Sequence, residues 1–144
     1  MEPQLNTITI VVNSLPKALQ FYRALGLKIP IGQEQEYYVE CVSKHASTIV
    51  FITKENMLKL NPSWRQADSN GNIGLHFKFS NTQGVEETYN KLMDLGYQSV
   101  TIPYDTKWGE RFAEVLDPDG NTVSIFAPLM AIQNSLSLSI LSRN

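Results

Sequence analysis

The sequence predicts an α+β fold built from two similar strand-and-helix modules. Short runs rich in β-branched residues recur along the chain, two amphipathic helical stretches each end in glycine, and the second half repeats the order of the first. With 144 residues, the chain fits one domain large enough to bury a core. That domain spans 1–130, with modules at about 5–53 and 72–128, a linker at 54–71 and a tail at 131–144.

The elements follow in chain order. "TITIVV" (Thr7–Val12) is a short β-branched strand. In "NSLPKALQFYRALG", Asn13 or Ser14 is the N-cap, Pro16 sits in the first turn, and Leu15, Ala18, Leu19, Tyr22 and Leu25 recur at helical spacing before the stop at Gly26. Three strand-like stretches follow: "LKIPI", "EYYVECV" and "STIVFIT". The polar stretch Lys54–Asn72, broken by Pro62 and Gly71, predicts a linker with room for one helical turn. The order then repeats: strand "IGLHFKF", helix "NTQGVEETYNKLMDLG" with Val85, Tyr89, Leu92 and Leu95 on one face, then strands "YQSVTIP", "RFAEVL" and "NTVSIF". The last two are joined by the turn "DPDG" (Asp117–Gly120), with proline and glycine where a tight turn favours them.

The halves superpose. Leu25-Gly26-Leu27 matches Leu95-Gly96-Tyr97, and "YYVECVSKHASTIVFI" matches "RFAEVLDPDGNTVSIF" at constant offset, pairing Glu40 with Glu114 and Val50 with Ser124. A single helix leaves one face of each sheet bare, and two such faces could enclose a shared cleft.

Composition narrows the function. A net charge of −2 argues against nucleic acid or an anionic membrane as the main partner. Cys41 is the only cysteine, which excludes an intrachain disulfide or a cysteine zinc cluster. No apolar run approaches the roughly 20 residues that span a bilayer, and the N-terminus lacks a secretory pattern. The expectation is a soluble, cytoplasmic protein. There is no G-x-S-x-G, H-E-x-x-H, phosphate-loop or dinucleotide motif.

"LPKALQFYRALGLKI" (Leu15–Ile29) and "WGERFAEVLDPDGNTVSIF" (Trp108–Phe126), set in this duplicated layout, resemble the vicinal oxygen chelate superfamily. That is the glyoxalase, bleomycin-resistance and extradiol-dioxygenase group. The resemblance covers about residues 5–128 and is closest in appearance to the bleomycin-resistance branch. It implies two βαβββ modules forming a half-open barrel around a ligand cleft, and a homodimer. In metal-using members a divalent ion is held by inward side chains of the first and last strands of each module. Those positions map to Thr7, Val50, Gly74 and Ser124, none of which is His, Glu, Asp or Gln. Neutral hydroxyls are poor ligands for a divalent ion, and valine and glycine side chains offer no donor. The four-ligand site is absent from the sequence, so no metal cofactor is expected.

Strand alternation assigns the faces. Ile8, Ile10, Val12, Leu75, Phe77, Phe79, Val123 and Ile125 should pack on the helices. Thr7, Thr9, Val11, Gly74, His76, Lys78, Thr122, Ser124 and Phe126 should face away. A one-residue bulge in either hairpin would exchange these faces. His76, Glu40 and Glu114 could hold a displaced divalent metal, or act as acid and base. Equally, His76 could simply line a pocket while the glutamates pair with Lys78 or Arg111. Tyr38, Val42, Val50, Ile52, Phe112, Leu116 and Phe126 make the inward surface mostly apolar and aromatic, the make-up of an organic-ligand pocket. Trp64 and Trp108 could stack on a planar ligand or pack at an edge. For a cationic ligand, Glu40 and Glu114 supply charge and the indoles cation–π attraction. Cys41 falls on the helix side as a buried thiol, and His45 in a solvated turn. The tail "NSLSLSIL" suits an added edge strand or a loose helix.

The ligand-binding candidates are therefore Tyr38, Glu40, Trp64, His76, Trp108, Phe112, Glu114 and Phe126. The expected function is metal-independent binding of a small organic molecule, such as sequestration of an antibiotic or other aromatic compound. The alternative is a metal-dependent lyase, isomerase or dioxygenase with a displaced site.

Overall fold

The computed structural model describes residues 1–44, 47–67 and 73–129. His45 and the tail from residue 130, with the expectations attached to them, lie outside the described residues. The chain divides into two compact units, Met1–Asp68 and Ser69–Asn144, each with its own sheet. Helices pack on sheets in both, and neither sheet closes into a barrel; the class is α+β.

In the first unit β1 (Thr7–Val12) runs parallel to β3 (Thr48–Thr53), and β2 (Tyr38–Cys41) pairs antiparallel with β3 on its other side. Helix α1 (Leu15–Leu25) starts where Ser14 Oγ accepts from the Lys17 amide at 3.3 Å. It stops at Gly26, whose φ of 118° is open to glycine and costly for other residues. Leu15, Ala18, Leu19, Phe21, Tyr22 and Leu25 are all buried, one more apolar position (Phe21) than the helical spacing predicts. They pack with Ile10, Val12, Val39, Cys41, Ile49 and Phe51, and the Tyr22 and Phe51 rings lie 4.8 Å apart. Each such side chain contributes roughly 1.5–3 kcal/mol by leaving water. Cys41 is buried on this side as expected, and burial pushes its thiol pKa up.

Two expectations for this unit need correction. The stretch "LKIPI" is not a strand, so the sheet has three strands rather than four. Arg23 explains why: its Nε donates to the Ile29 carbonyl at 3.2 Å, its Nη2 to the Pro30 carbonyl, and its Nη1 pairs with Glu34 at 2.5 Å. The carbonyls a ladder would need are taken, and Pro30 has no N–H to give. Arg23 also holds the Glu34 carboxyl below the usual carboxylate range. Second, the presumed linker opens with a helix, α2 (Lys54–Leu60), capped by Thr53 Oγ1 accepting from the Asn56 amide at 3.2 Å. It lies against β3 and β1. None of its residues is buried, so no apolar stripe announces it.

In the second unit the order is β4-β7-β6-β5, with β4 (Leu75–Lys78) parallel to β7 (Thr122–Pro128) and the rest antiparallel. Helix α3 (Thr82–Asp94) is capped by Asn81 and buries Val85, Tyr89 and Leu92 on the sheet. Leu95, expected on that face, is the C-cap and is half exposed, because the helix ends before it can turn inward. Ala113 and Val115 of β6 (Glu110–Leu116) and Val123, Ile125 and Ala127 of β7 complete this core.

The β6–β7 turn is organised by one carboxylate. Asp117, 5% exposed, accepts from the amides of Asp119 (2.9 Å) and Asn121 (2.8 Å) and from Asn121 Nδ2 (2.9 Å). Gly120, at φ 86°, lets the chain reverse there. No bulge that would exchange the faces interrupts the β2–β3 or the β6–β7 pairing. Instead β5 (Ser99–Asp105), an edge strand, shifts register against β6 between Ser99 and Thr101 and again between Thr101 and Tyr104. Val100 and Ile102 on it are exposed, and Pro103 follows them.

Arg111 lies on the α3 side of β6. Its Nε donates to Asp105 Oδ1 at 2.8 Å and its Nη1 pairs with Glu86 of α3 at 3.3 Å, so it does not serve Glu114. That pairing holds the Asp105 carboxyl below the usual aspartate range.

Replacing Asp117 by alanine strands the amides of Asp119 and Asn121; a loss of about 2–3 kcal/mol is expected in urea unfolding, with a smaller loss for Asp117→Asn. A second expectation concerns acid. Because the folded-state pKa of Asp105 is depressed, its pairing stabilises the fold above the unfolded aspartate pKa of about 4 and that contribution fades as pH falls through the folded value. Carboxyl NMR titration should place Asp105 below an ordinary aspartate in the native chain and return it to the ordinary range in Arg111→Met.

Candidate functional site

The strand registers set the internal repeat in three dimensions. Glu40 pairs with Val50 as Glu114 pairs with Ser124, and Thr9 pairs with Val50 as His76 pairs with Ser124. Alternation also holds: Ile10 and Val12 are buried and Thr7 and Thr9 exposed, while Val123 and Ile125 are buried on the α3 side. The candidate residues carried by strands therefore lie on the sheet face opposite the helix of each unit.

On that face the second unit carries two cross-strand rows. One runs His76–Ser124–Glu114–Thr101 from β4 to β5, the other Lys78–Phe126–Phe112–Tyr104. Thr101 Oγ1 donates to Glu114 Oε1 at 3.1 Å. The Phe112 ring stands edge-on to Tyr104 at 6.0 Å and tilted to His76 at 6.4 Å. Phe112, Phe126 and Glu114 are half-buried, His76 and Lys78 exposed, and Ser124 is 1% exposed. A Cβ at Gly74 would meet His76 Nε2 at 3.3 Å, so the imidazole leans back over the space a side chain at 74 would fill. Trp108, in the β5–β6 turn, is 67% exposed and donates its Nε1 to Glu110 Oε1 at 2.6 Å. It is not core.

The first unit presents Tyr38 and Glu40 of β2, both exposed, beside Val50 and Ile52 of β3. Ile52 is buried, whereas Val42 falls beyond the end of β2 and is exposed. A cavity of about 370 Å³ is lined by Gln33, Glu36, Tyr37, Tyr38 and Glu40. Trp64 is half-buried after α2, its amide bonded to the Asn61 carbonyl at 2.9 Å. The structure thus brings Tyr38 with Glu40 in one unit, and His76, Phe112, Glu114 and Phe126 in the other. Trp64 and Trp108 stand apart from these sets within their units.

Sequence reasoning missed Thr101 and Tyr104, because the bulges of β5 carry the strand past Pro103 and reset its faces. It also missed Gln33, which lies between two stretches read as strands, and Glu36 and Tyr37, which open the stretch "EYYVECV" but precede β2. The acid–tyrosine run "EQEYYVE" was the available signal.

The metal positions do not fit an ion. Thr7 and Ser124 offer neutral hydroxyls, Val50 and Gly74 nothing. Among the described residues no three His, Cys, Asp or Glu side chains stand together as a metal-holding group. Among them, too, no helix is long and apolar enough to cross a membrane.

Solved structures share this fold. A glyoxalase-related enzyme from Fulvimarina pelagi superposes with a TM-score of 0.72 at 17% identity, over 89% of this chain and 93% of that one. A glyoxalase/bleomycin resistance protein/dioxygenase family enzyme from Burkholderia phytofirmans PsJN gives 0.71 at 19%, over 88% and 100%. A lactoylglutathione lyase from Agrobacterium tumefaciens gives 0.63 at 18%, over 88% and 94%. At these identities the likeness is one of fold. No curated protein matches the chain. A family model described as Glyoxalase/Bleomycin resistance protein/Dioxygenase superfamily matches residues 4–125. That match spans both units and most of the chain: the protein belongs to the glyoxalase/bleomycin resistance protein/dioxygenase superfamily.

Proposed function

We propose that this chain binds a small organic molecule without a metal ion, in the manner of the bleomycin-resistance proteins, and acts by sequestering an antibiotic or other aromatic compound. The observation that carries the reading is the pairing of vacated ligand positions with a retained aromatic surface. Thr7, Val50, Gly74 and Ser124 cannot grip an ion, while Phe126, Phe112 and Tyr104 form a continuous ladder across three strands. Flat apolar rings with a few fixed polar groups are what a planar ligand needs. The Glu114 carboxylate, oriented by Thr101, supplies one such group. The protein works as a homodimer in the cytoplasm on this reading.

A second reading is favoured by the row that sets His76 and Glu114 on either side of Ser124. It makes the chain a metal-using lyase, isomerase or dioxygenase with a displaced site at His76 and Glu114. Metal analysis of protein purified without chelator separates the two. A stoichiometric ion that disappears in His76→Ala would replace the first reading with the second.

Isothermal titration of chelator-treated protein against a panel of planar aromatic compounds tests the first. Saturable binding is expected, indifferent to chelator and weakened about tenfold by Phe112→Ala, the scale of one lost aromatic contact. Uniform absence of heat across the panel would discard it.

A further inference from the structure

The cavity of the first unit has a composition of its own. Among the described residues its lining is two carboxylates (Glu36, Glu40), two tyrosines (Tyr37, Tyr38) and one amide (Gln33), with no lysine or arginine. It is an open depression of about 370 Å³, so a ligand seated there keeps one side in water.

The wall is fixed in place by neighbours. The Glu36 amide donates to the Gln33 carbonyl at 3.1 Å, closing the turn that forms one side. Tyr37 is held to α2 from both ends: its hydroxyl donates to the Asn56 carbonyl at 3.0 Å, and Asn56 Nδ2 donates to the Tyr37 carbonyl at 2.9 Å. Tyr38 and Glu40 project from the same face of β2, because they are two residues apart on a strand. Arg23, the guanidinium of α1, is committed to Glu34 and to the carbonyls of Ile29 and Pro30. It is not spent on Glu36 or Glu40, and neither glutamate has an ion pair with another described residue.

We infer that this depression is a binding site for an organic ammonium ion, held against Tyr37 and Tyr38 and the carboxylates of Glu36 and Glu40. Aromatic faces attract a cation through their quadrupole and tolerate its methyl groups, which carboxylates alone do not require. A hydrated divalent ion gains nothing from tyrosine faces and wants a dense set of oxygen ligands. The inference rests on the proposed small-molecule binding and names the ligand class that the first unit selects.

NMR titration with benzyltrimethylammonium, benzyl alcohol and benzenesulfonate tests it, following the ring signals of Tyr37 and Tyr38. The ammonium is expected to bind several-fold more tightly than the alcohol, and the sulfonate least. Glu36→Gln combined with Glu40→Gln should weaken the ammonium about threefold to tenfold and leave the alcohol unchanged. Both glutamates are exposed, so the fold is not at risk. Tyr38→Leu should cost about twofold to fivefold, and Tyr38→Phe should restore binding, since the ring and not the hydroxyl is used. Equal affinity for alcohol and ammonium overturns the inference, as does indifference to the double glutamine variant. So does displacement of the ammonium by millimolar magnesium or calcium at equal ionic strength, which would make the site one for inorganic ions. If the ammonium shows no preference while neutral planar compounds still bind and are lost in Phe112→Ala, the ligand class fails and the proposed function stands.

Discussion

The in-phase pairing of β6 with β7 is the constraint on which the second unit rests. From Glu110 opposite Pro128 to Leu116 opposite Thr122 the partners advance without a shift. A slip of one residue would turn one strand over against the other, sending either Ala113 and Val115 or Val123 and Ile125 away from α3 and pushing Phe112 and Glu114, or Thr122 and Ser124, against it. Burying an unpaired carboxylate in that core would cost several kcal/mol, roughly what a small domain has to spare. The Asp117 carboxylate fixes the turn between these two strands, so one buried side chain at a loop supports the phase in which β6 and β7 present their residues.

The same phase determines what chemistry the superfamily fold retains here. In both units one residue of the last strand is held by register between a residue of the first strand and one of the neighbouring antiparallel strand. Val50 lies between Thr9 and Glu40, and Ser124 between His76 and Glu114. Glycine at 74 removes a side chain, and His76 reclines over the gap. The two faces differ in what surrounds these positions. The first carries Tyr38 and Glu40 beside the depression lined by Glu36 and Tyr37, the second edge-on rings with Lys78 at one margin.

Much of this was legible in the residues. β1, α1, α3, β6 and β7 announce themselves through β-branched runs, 3.6-residue spacing, caps and a proline–glycine turn, because in each of them local preference and burial agree. The elements that escaped are those where tertiary partners decide. Residues 27–31 look extended, yet Arg23 claims the carbonyls of Ile29 and Pro30. Helix α2 buries no side chain and so has no stripe to detect. The bulges of β5 bring Tyr104 beside Phe112 by an offset that no alternation rule supplies. The site was legible to the same degree: positions on well-phased strands came out on the expected face, while Gln33, Glu36, Tyr37, Thr101 and Tyr104 depend on irregular backbone.

The edge strand β5 has a bearing on how this protein behaves when concentrated. A long, flat, apolar margin bearing Val100 and Ile102 would be an open template for fibril growth by strand addition. The two register breaks twist that margin out of plane, and Pro103 removes one of the donors an incoming strand would need. The irregularity that hid Tyr104 from pattern reading thereby also guards the molecule against amyloid-like self-association.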